Sequence, residues 1–226
     1  MAGFAIATPN VRAAQHGMSV RPPGVSMLRA DSLAPFVDPL AIPSVARPSS
    51  VRHAPVADTP HYRIAMRAVS ARVHRSLPPT AFWSFGSTFP GPTIEARRGC
   101  GLFVEWINNL PARHFLPIDH TIHGAEAGTP DVRAVVHVHG ANVRPEDDGY
   151  PDDWYLPGAS KSSFYPNDQD AATLWYHDHT MGINRLNVYA GLMGLYIIRD
   201  DEEDKLALPS GRFEVPLLLC DRQLRS

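Results

Sequence analysis

Two short motifs place histidines two residues apart in this chain of 226 residues. One is His-Val-His-Gly at 137–140, and the other is Trp-Tyr-His-Asp-His at 175–179. Each lies in an apolar run typical of a β-strand, at 134–139 and 172–179. Successive side chains of a strand point to opposite faces, so residues i and i+2 lie on one face about 7 Å apart. Each pair of histidines is therefore predicted to share a face.

Four imidazoles converge on one patch if these two strands pair or lie close together. The candidate ligands are His137, His139, His177 and His179. Imidazole is a ligand for zinc, copper, iron and nickel, so the spacing predicts a metal site without choosing the metal. One isolated histidine would not support this interpretation, but two pairs in strand-like runs do.

The sequence around the histidines resembles the N-terminal copper motifs of the multicopper oxidases. The similarity is to the bacterial spore-coat laccases and the related bilirubin and phenoxazinone oxidases. It extends over residues 62–222, and strings typical of that subfamily stand at 89–95, 104–111, 114–123 and 185–198. The resemblance therefore covers most of the chain and not only the histidines.

The resemblance implies a trinuclear copper cluster that reduces O2 to water. In this family eight histidines hold the cluster, four from the first domain and four from the last. His137 is then a ligand of the type 2 copper, and His139, His177 and His179 are ligands of the type 3 copper pair. Asp148 matches an acidic residue near the cluster that assists proton delivery. The implied partners are O2 and a small reducing substrate.

Two further motifs of the family do not occur in this sequence. These are His-Pro-x-His-x-His and His-Cys-His, and neither Cys100 nor Cys220 has a histidine within several residues. A type 1 copper site needs two histidines and a cysteine. We therefore expect a fragment that holds half of the cluster ligands and is inactive alone. Its C-terminal cupredoxin domains are then missing or are carried by a separate chain.

Three functions stay open from the sequence. The chain is the N-terminal domain of a laccase-like oxidase, a copper- or zinc-binding module in its own right, or one half of a split oxidase. Zinc would favour a closed tetrahedral site. Asp178, which separates two candidate ligands, is predicted to face away from them, as a structural residue or as support for a histidine tautomer.

The predicted fold class is all-β: a cupredoxin-like Greek-key sandwich or barrel, with one short helix after the second histidine pair. Many short apolar runs divided by Gly and Pro turns favour it. The helix is predicted at 180–188 with Thr180 as its N-cap. A long loop is predicted at 144–170 and a buried strand at 213–220. Along the run at 102–107, Leu102, Val104 and Trp106 are predicted to share one face.

The composition is that of a globular domain, with 44% hydrophobic residues and a net charge of −2. This charge argues against a nucleic-acid partner, and no apolar run is long enough for a membrane span. Three regions are predicted: a partly flexible N-terminal extension at 1–55, a cupredoxin domain at 56–199, and a connector with the start of a second cupredoxin domain at 200–226. Without a recognisable secretory signal, the default location is the cytoplasm.

Overall fold

The computed structural model describes residues 28–52 and 58–224. Ala34–Arg222 forms one compact unit, which contains all the strands described below. The described residues 28–33 and 223–224 belong to a second unit.

The predicted N-terminal extension is described only in part. Its residues 1–27 and 53–55 lie outside the described ranges, so its flexibility stays a prediction. Within the remainder, strand β1 (Ser50–Arg52) pairs with the strand that follows it.

Within the described residues, nine strands form two sheets. The first has the order β1–β2–β5–β7, with β3 also paired to β2, and the second has the order β4–β9–β8–β6. The pairs β2–β5 and β4–β9 are parallel, and the others are antiparallel. The bounds of β2 to β9 are Thr59–Ala71, Thr80–Phe85, Ile94–Arg97, Leu102–Asn108, Val136–His139, Ser160–Tyr165, Ala172–Asp178 and Met193–Arg199.

Buried aromatic side chains join the two sheets. The ring of Tyr176 on β8 lies 4.9 Å from that of Phe85 on β3 and 5.2 Å from that of Trp106 on β5, measured between centroids. Its hydroxyl donates to the carbonyl oxygen of Pro92 at 2.6 Å. The indole N–H of Trp106 donates to the hydroxyl of Tyr165 at 3.0 Å. The core is therefore filled by rings whose polar atoms have partners.

The inward side chains of β6 and β8 determine where the histidines point. Val136 and Val138 are 2% and 1% exposed and belong to the core. Because side chains alternate along a strand, His137 and His139 lie on the outer face of the second sheet. The buried Tyr176 turns its neighbours on β8 outward in the same way.

The predicted all-β sandwich is confirmed, and the described strands form no closed barrel. The predicted face of β5 is also confirmed, since Leu102, Val104 and Trp106 are all buried. The residues between them are partly exposed, which is the alternation expected of a strand with one face on the core.

The helix after the second histidine pair begins later than predicted. Helix α1 spans Asn184–Ala190 with Ile183 at its N-cap, so the prediction of Thr180 as N-cap is wrong. The hydroxyl of Thr180 donates instead to Oδ1 of Asp178, at 2.8 Å. A bond to a side chain two residues earlier has replaced the capping bond.

A second short helix forms in the acidic run that follows β9. Helix α2 spans Asp201–Lys205, and the carboxylate of Asp200 accepts the backbone N–H of Glu203 at its start. Neither α1 nor α2 nor any other helix among the described residues has the length and apolar character needed to cross a membrane.

The loop predicted at 144–170 and the strand predicted at 213–220 are both wrong. The loop predicted at 144–170 contains β7, which pairs with β5 through its backbone although its Ser-Lys-Ser-Ser start carries little apolar signal. The buried strand predicted at 213–220 does not form: Gly211–Phe213 is a 3-10 turn and Leu219 is 93% exposed. Pro216 lacks a backbone N–H for a sheet ladder.

Replacing Tyr176 by Phe keeps the buried ring and removes the hydroxyl that bonds to Pro92. We expect the free energy of unfolding, measured by urea denaturation, to fall by about 1–2 kcal/mol because a buried acceptor loses its donor. Tyr150→Phe is the matched control, since Tyr150 is 62% exposed. Equal stability of Tyr176→Phe and the parent would mean that this bond does not stabilise the sandwich.

Candidate metal centre

The two histidine pairs lie side by side on neighbouring strands. Strands β6 and β8 are antiparallel, and His137 stands directly opposite His177. His179 follows the last residue of β8, and its backbone N–H donates to the carbonyl of Val135 at 2.8 Å. The pairing of the two strands, on which the predicted patch depends, is therefore present.

Three of the four imidazoles are close enough to hold one ion. Ligand nitrogens of His137, His139 and His177 all lie within 4.8 Å of one another. The ring of His179 extends the patch, since its centroid lies 4.7 Å from that of His137 with the two planes 24° apart. All four rings line one cavity of about 690 Å³.

Backbone carbonyl groups fix the tautomers of three of these imidazoles. In each one, Nδ1 lies within hydrogen-bond distance of a carbonyl oxygen: His137 with Asp148 at 2.6 Å, His177 with Asp178 at 2.6 Å, and His179 with Gly149 at 3.0 Å. A carbonyl oxygen only accepts, so each Nδ1 carries the hydrogen and donates it. The lone pair is then on Nε2, where a metal ion can bind.

The fourth imidazole, His139, has a different environment. Its side chain is exposed, and its Nδ1 lies 3.3 Å from Nε2 of His177. Since Nε2 of His177 carries no hydrogen, Nδ1 of His139 either donates to it or presents a second lone pair beside it. The tautomer with a lone pair on Nδ1 of His139 suits an ion held between the two rings.

Trp175, the first residue of the second motif, belongs to this site, although the motif alone gave it no role. Its ring stacks on His177 with 4.0 Å between centroids and an angle of 28°, and it lies 5.7 Å from the ring of His139. The sequence contained the signal, because Trp175 precedes His177 by two residues and so shares its face of the strand. The indole limits the rotation of both rings.

Burial keeps the central imidazole neutral. The pKa of His177 is lowered to about 4, mainly by loss of solvent and in smaller part by the other three histidines, against the opposing effect of its bond to the Asp178 carbonyl. A neutral imidazole has a lone pair to offer, whereas an imidazolium has none. A donor set of imidazoles fits copper or zinc.

The segment after β6 brings Asp148 beside the first histidine. Its Oδ1 lies 3.2 Å from Nδ1 of His137, and its side chain is 44% exposed. The next residue, Gly149, has φ +77°, and a Cβ there would lie 2.0 Å from the carbonyl oxygen of Val136. Only glycine fits this close approach, which delivers the carbonyl that His179 bonds to.

Two histidines of the string at 114–123 have partners outside this patch. Nδ1 of His120 lies 2.8 Å from the carbonyl of Ala125, and Nδ1 of His123 lies 3.0 Å from the carboxylate of Glu126. The structure does not bring His120 or His123 into the group of histidines on β6 and β8.

Comparison with known sequences identifies relatives for most of the chain. The sequence model of the multicopper oxidases matches residues 129–203, which contain all four histidines. The chain is 44% identical over 203 residues to a laccase of Bacillus subtilis (strain 168), an alignment covering 85% of this chain and 39% of that protein. It is 41% identical over 208 residues to a laccase of Haloferax volcanii, covering 85% and 35%. It is 41% identical over 169 residues to the multicopper oxidase LPR2 of Arabidopsis thaliana, covering 68% and 29%.

Solved structures share the fold of this chain. The crystal structure of a laccase from Pediococcus acidilactici superposes with a TM-score of 0.63 at 24% identity, covering 78% of this chain and 33% of that one. A multicopper oxidase from Campylobacter jejuni, described as a metallo-oxidase, gives a TM-score of 0.61 at 21% identity, covering 80% and 33%. The chain thus has a cupredoxin-like fold, and it spans less than two fifths of the length of these relatives.

Replacing Gly149 by Ala is expected to weaken metal binding about 10–100-fold, because the added Cβ displaces the carbonyl groups that orient His137 and His179. Competition with a chromophoric copper chelator measures the affinity. Gly158→Ala is the matched control: it also has a positive φ, but nothing lies within 4 Å of the added Cβ. Equal affinities of the two variants would remove the segment after β6 from any role in ligand orientation.

Proposed function

Because the chain carries a domain of the multicopper oxidase family, we propose that it supplies four histidine ligands to a trinuclear copper cluster that reduces O2 to water. The observation that carries this proposal is the patch on β6 and β8, where three imidazoles present Nε2 and keep Nδ1 bonded to backbone carbonyls. Such a donor set is ready to bind metal without reorganisation of the rings.

The assignment of ligands follows the family. In this proposal His137 binds the type 2 copper, and His139, His177 and His179 bind the type 3 pair. Copper bound there would supply the electrons that O2 accepts. The protein's own part is to hold the four imidazoles together on one face of the sheet, with Trp175 stacked against two of them.

Asp148 is the proposed group for proton delivery. Its carboxylate lies beside His137 and is 44% exposed, so it is in contact with both the patch and the solvent. We propose that it takes up a proton from water and holds it on Oδ1 or Oδ2 next to the cluster. Its carbonyl meanwhile accepts the Nδ1 hydrogen of His137, so one residue serves two tasks.

The remaining ligands in this proposal come from outside the 226 residues. The motifs that supply the other four cluster histidines and the type 1 copper do not occur in this sequence. They would be carried by further cupredoxin domains of the same polypeptide or by a separate chain, with residues 200–226 as the connector and start of a second domain. A small reducing substrate would lose electrons there, away from β6 and β8.

A second candidate function is a metal-binding module that stores or passes copper, or holds zinc. The close approach of His137, His139 and His177 favours it, because ligand nitrogens within 4.8 Å of one another suit a single ion. This function would be supported over the first if each chain bound one metal ion with a spectrum typical of tetrahedral coordination. The result should be the same for the chain alone and in the presence of other domains.

The four histidines are predicted to carry the copper of the purified chain. His139→Ala and His177→Ala should each lower the copper bound per chain, measured by mass spectrometry of the metal after dialysis, and circular dichroism should stay that of a β-sandwich. His123→Ala is the matched control, because its side chain is 89% exposed and bonded to Glu126. Unchanged copper in the first two variants would contradict the assignment.

The 226-residue chain loaded with copper is predicted to lack the intense blue absorption of a type 1 site and to oxidise no phenols. The reason is the absence from its sequence of a histidine–cysteine motif that could form that site. Optical spectra and an oxygen electrode test both points. A blue and active preparation of this chain alone would overturn the proposed division of the ligands.

A further inference from the structure

The carboxyl group of Asp178 lies on the opposite face of β8 from the histidines on either side of it. It is fully buried, and three of the hydrogen bonds that its oxygens accept come from outside helix α1. The donors are the backbone N–H of Val135 at 3.2 Å, the backbone N–H of Thr180 at 3.1 Å and the hydroxyl of Thr180 at 2.8 Å. All of these groups belong to residues next to the ligand strands.

These donors connect the two strands that carry the histidines. Val135 directly precedes β6, which holds His137 and His139, and Thr180 directly follows His179. The carbonyl of Val135 also accepts the N–H of His179 at 2.8 Å. One carboxylate therefore ties the beginning of one ligand strand to the end of the other.

Helix α1 is attached to the same carboxylate. The side chain of Asn187, which is fully buried, hydrogen-bonds to Asp178 and also donates to the carbonyl of Arg133 at 3.1 Å. Its Oδ1 accepts from Nε2 of His114 at 3.1 Å, since Nδ1 of His114 already accepts the N–H of Leu116. The helix, the chain before β6 and the end of β8 thus meet at one buried polar cluster.

We propose that Asp178 is a positioning residue for the metal ligands: by joining Val135 and Thr180 it sets the spacing between His137 and His179 and the place of the carbonyl that orients His177. The inference rests on the proposed function, because it presumes that these histidines bind copper. Asp178 itself does not touch the metal, since its side chain points to the other face of the strand.

A second buried carboxylate offers a matched control at the other end of β8. Asp200 is 6% exposed and accepts the backbone N–H groups of Ala171, at 3.0 Å, and Glu203, at 2.8 Å. Ala171 directly precedes β8, so both carboxylates fasten this strand by backbone N–H groups. Only Asp178 lies at the end that carries the histidines.

The test compares Asp178→Asn with Asp200→Asn in the 226-residue chain. An amide offers one acceptor oxygen where the carboxylate had two, so at least one donor around residue 178 loses its partner. We expect copper affinity to fall about 10–100-fold in Asp178→Asn, and the electron paramagnetic resonance parameters of bound Cu²⁺ to change. Asp200→Asn should keep the affinity and the spectrum of the parent even where its midpoint in urea falls.

Thr180→Val provides a second variant in case Asp178→Asn does not fold. It removes one hydrogen bond to Asp178 and keeps the shape of the side chain, so a smaller change of the same spectrum is expected. A parent chain that binds no copper would refute the proposed function. A parent that binds copper, with Asp178→Asn or Thr180→Val matching it in affinity and spectrum, would overturn the positioning role alone, and so would equal losses in Asp178→Asn and Asp200→Asn.

Discussion

Packing between the two sheets decides which way the candidate ligands face. Val136, Val138 and Tyr176 fill the interior between the sheets, and the alternation of side chains along β6 and β8 then places the histidines on the opposite face of the second sheet. A slip of one residue in either strand would exchange the two sets, burying imidazoles and exposing the apolar side chains. The hydrophobic free energy of the core therefore fixes the register of the two strands that carry the patch.

The sheet fixes the positions of the rings, and the backbone around them fixes their orientation. Asp148, Gly149 and Asp178 each offer a carbonyl oxygen to an Nδ1–H, and two of these residues come from the segment that follows β6. That segment approaches the strand so closely that residue 149 must be glycine. The polar cluster around the Asp178 side chain acts on the same elements from inside the sandwich, so the proposed ligands are supported on two sides.

The two histidines of each pair share a face because side chains alternate along a strand, and this could be predicted from sequence. The pairing of the two strands could not. Nothing local requires β6 to pair with β8, because a ladder is made by backbone groups that every residue has. For the same reason β7 could not be predicted from the sequence, because its serines carry no apolar signal. Thr180 fits a capping pattern, yet its hydroxyl bonds to Asp178. The segment at 213–220 is apolar enough for a strand but has no ladder partner among the described residues.

Residue 148 has two separate roles. Its side chain is the proposed acid–base group, and its backbone carbonyl orients the ring of His137. A substitution there changes the side chain and cannot delete the carbonyl that holds the ring of His137. The acid–base chemistry at this position can therefore vary during evolution while the imidazole keeps its orientation. At residue 149 the opposite holds, since any side chain disturbs the path of the chain. Two adjacent positions of one loop thus differ sharply in evolutionary freedom: residue 148 can accept other side chains, and residue 149 can only be glycine.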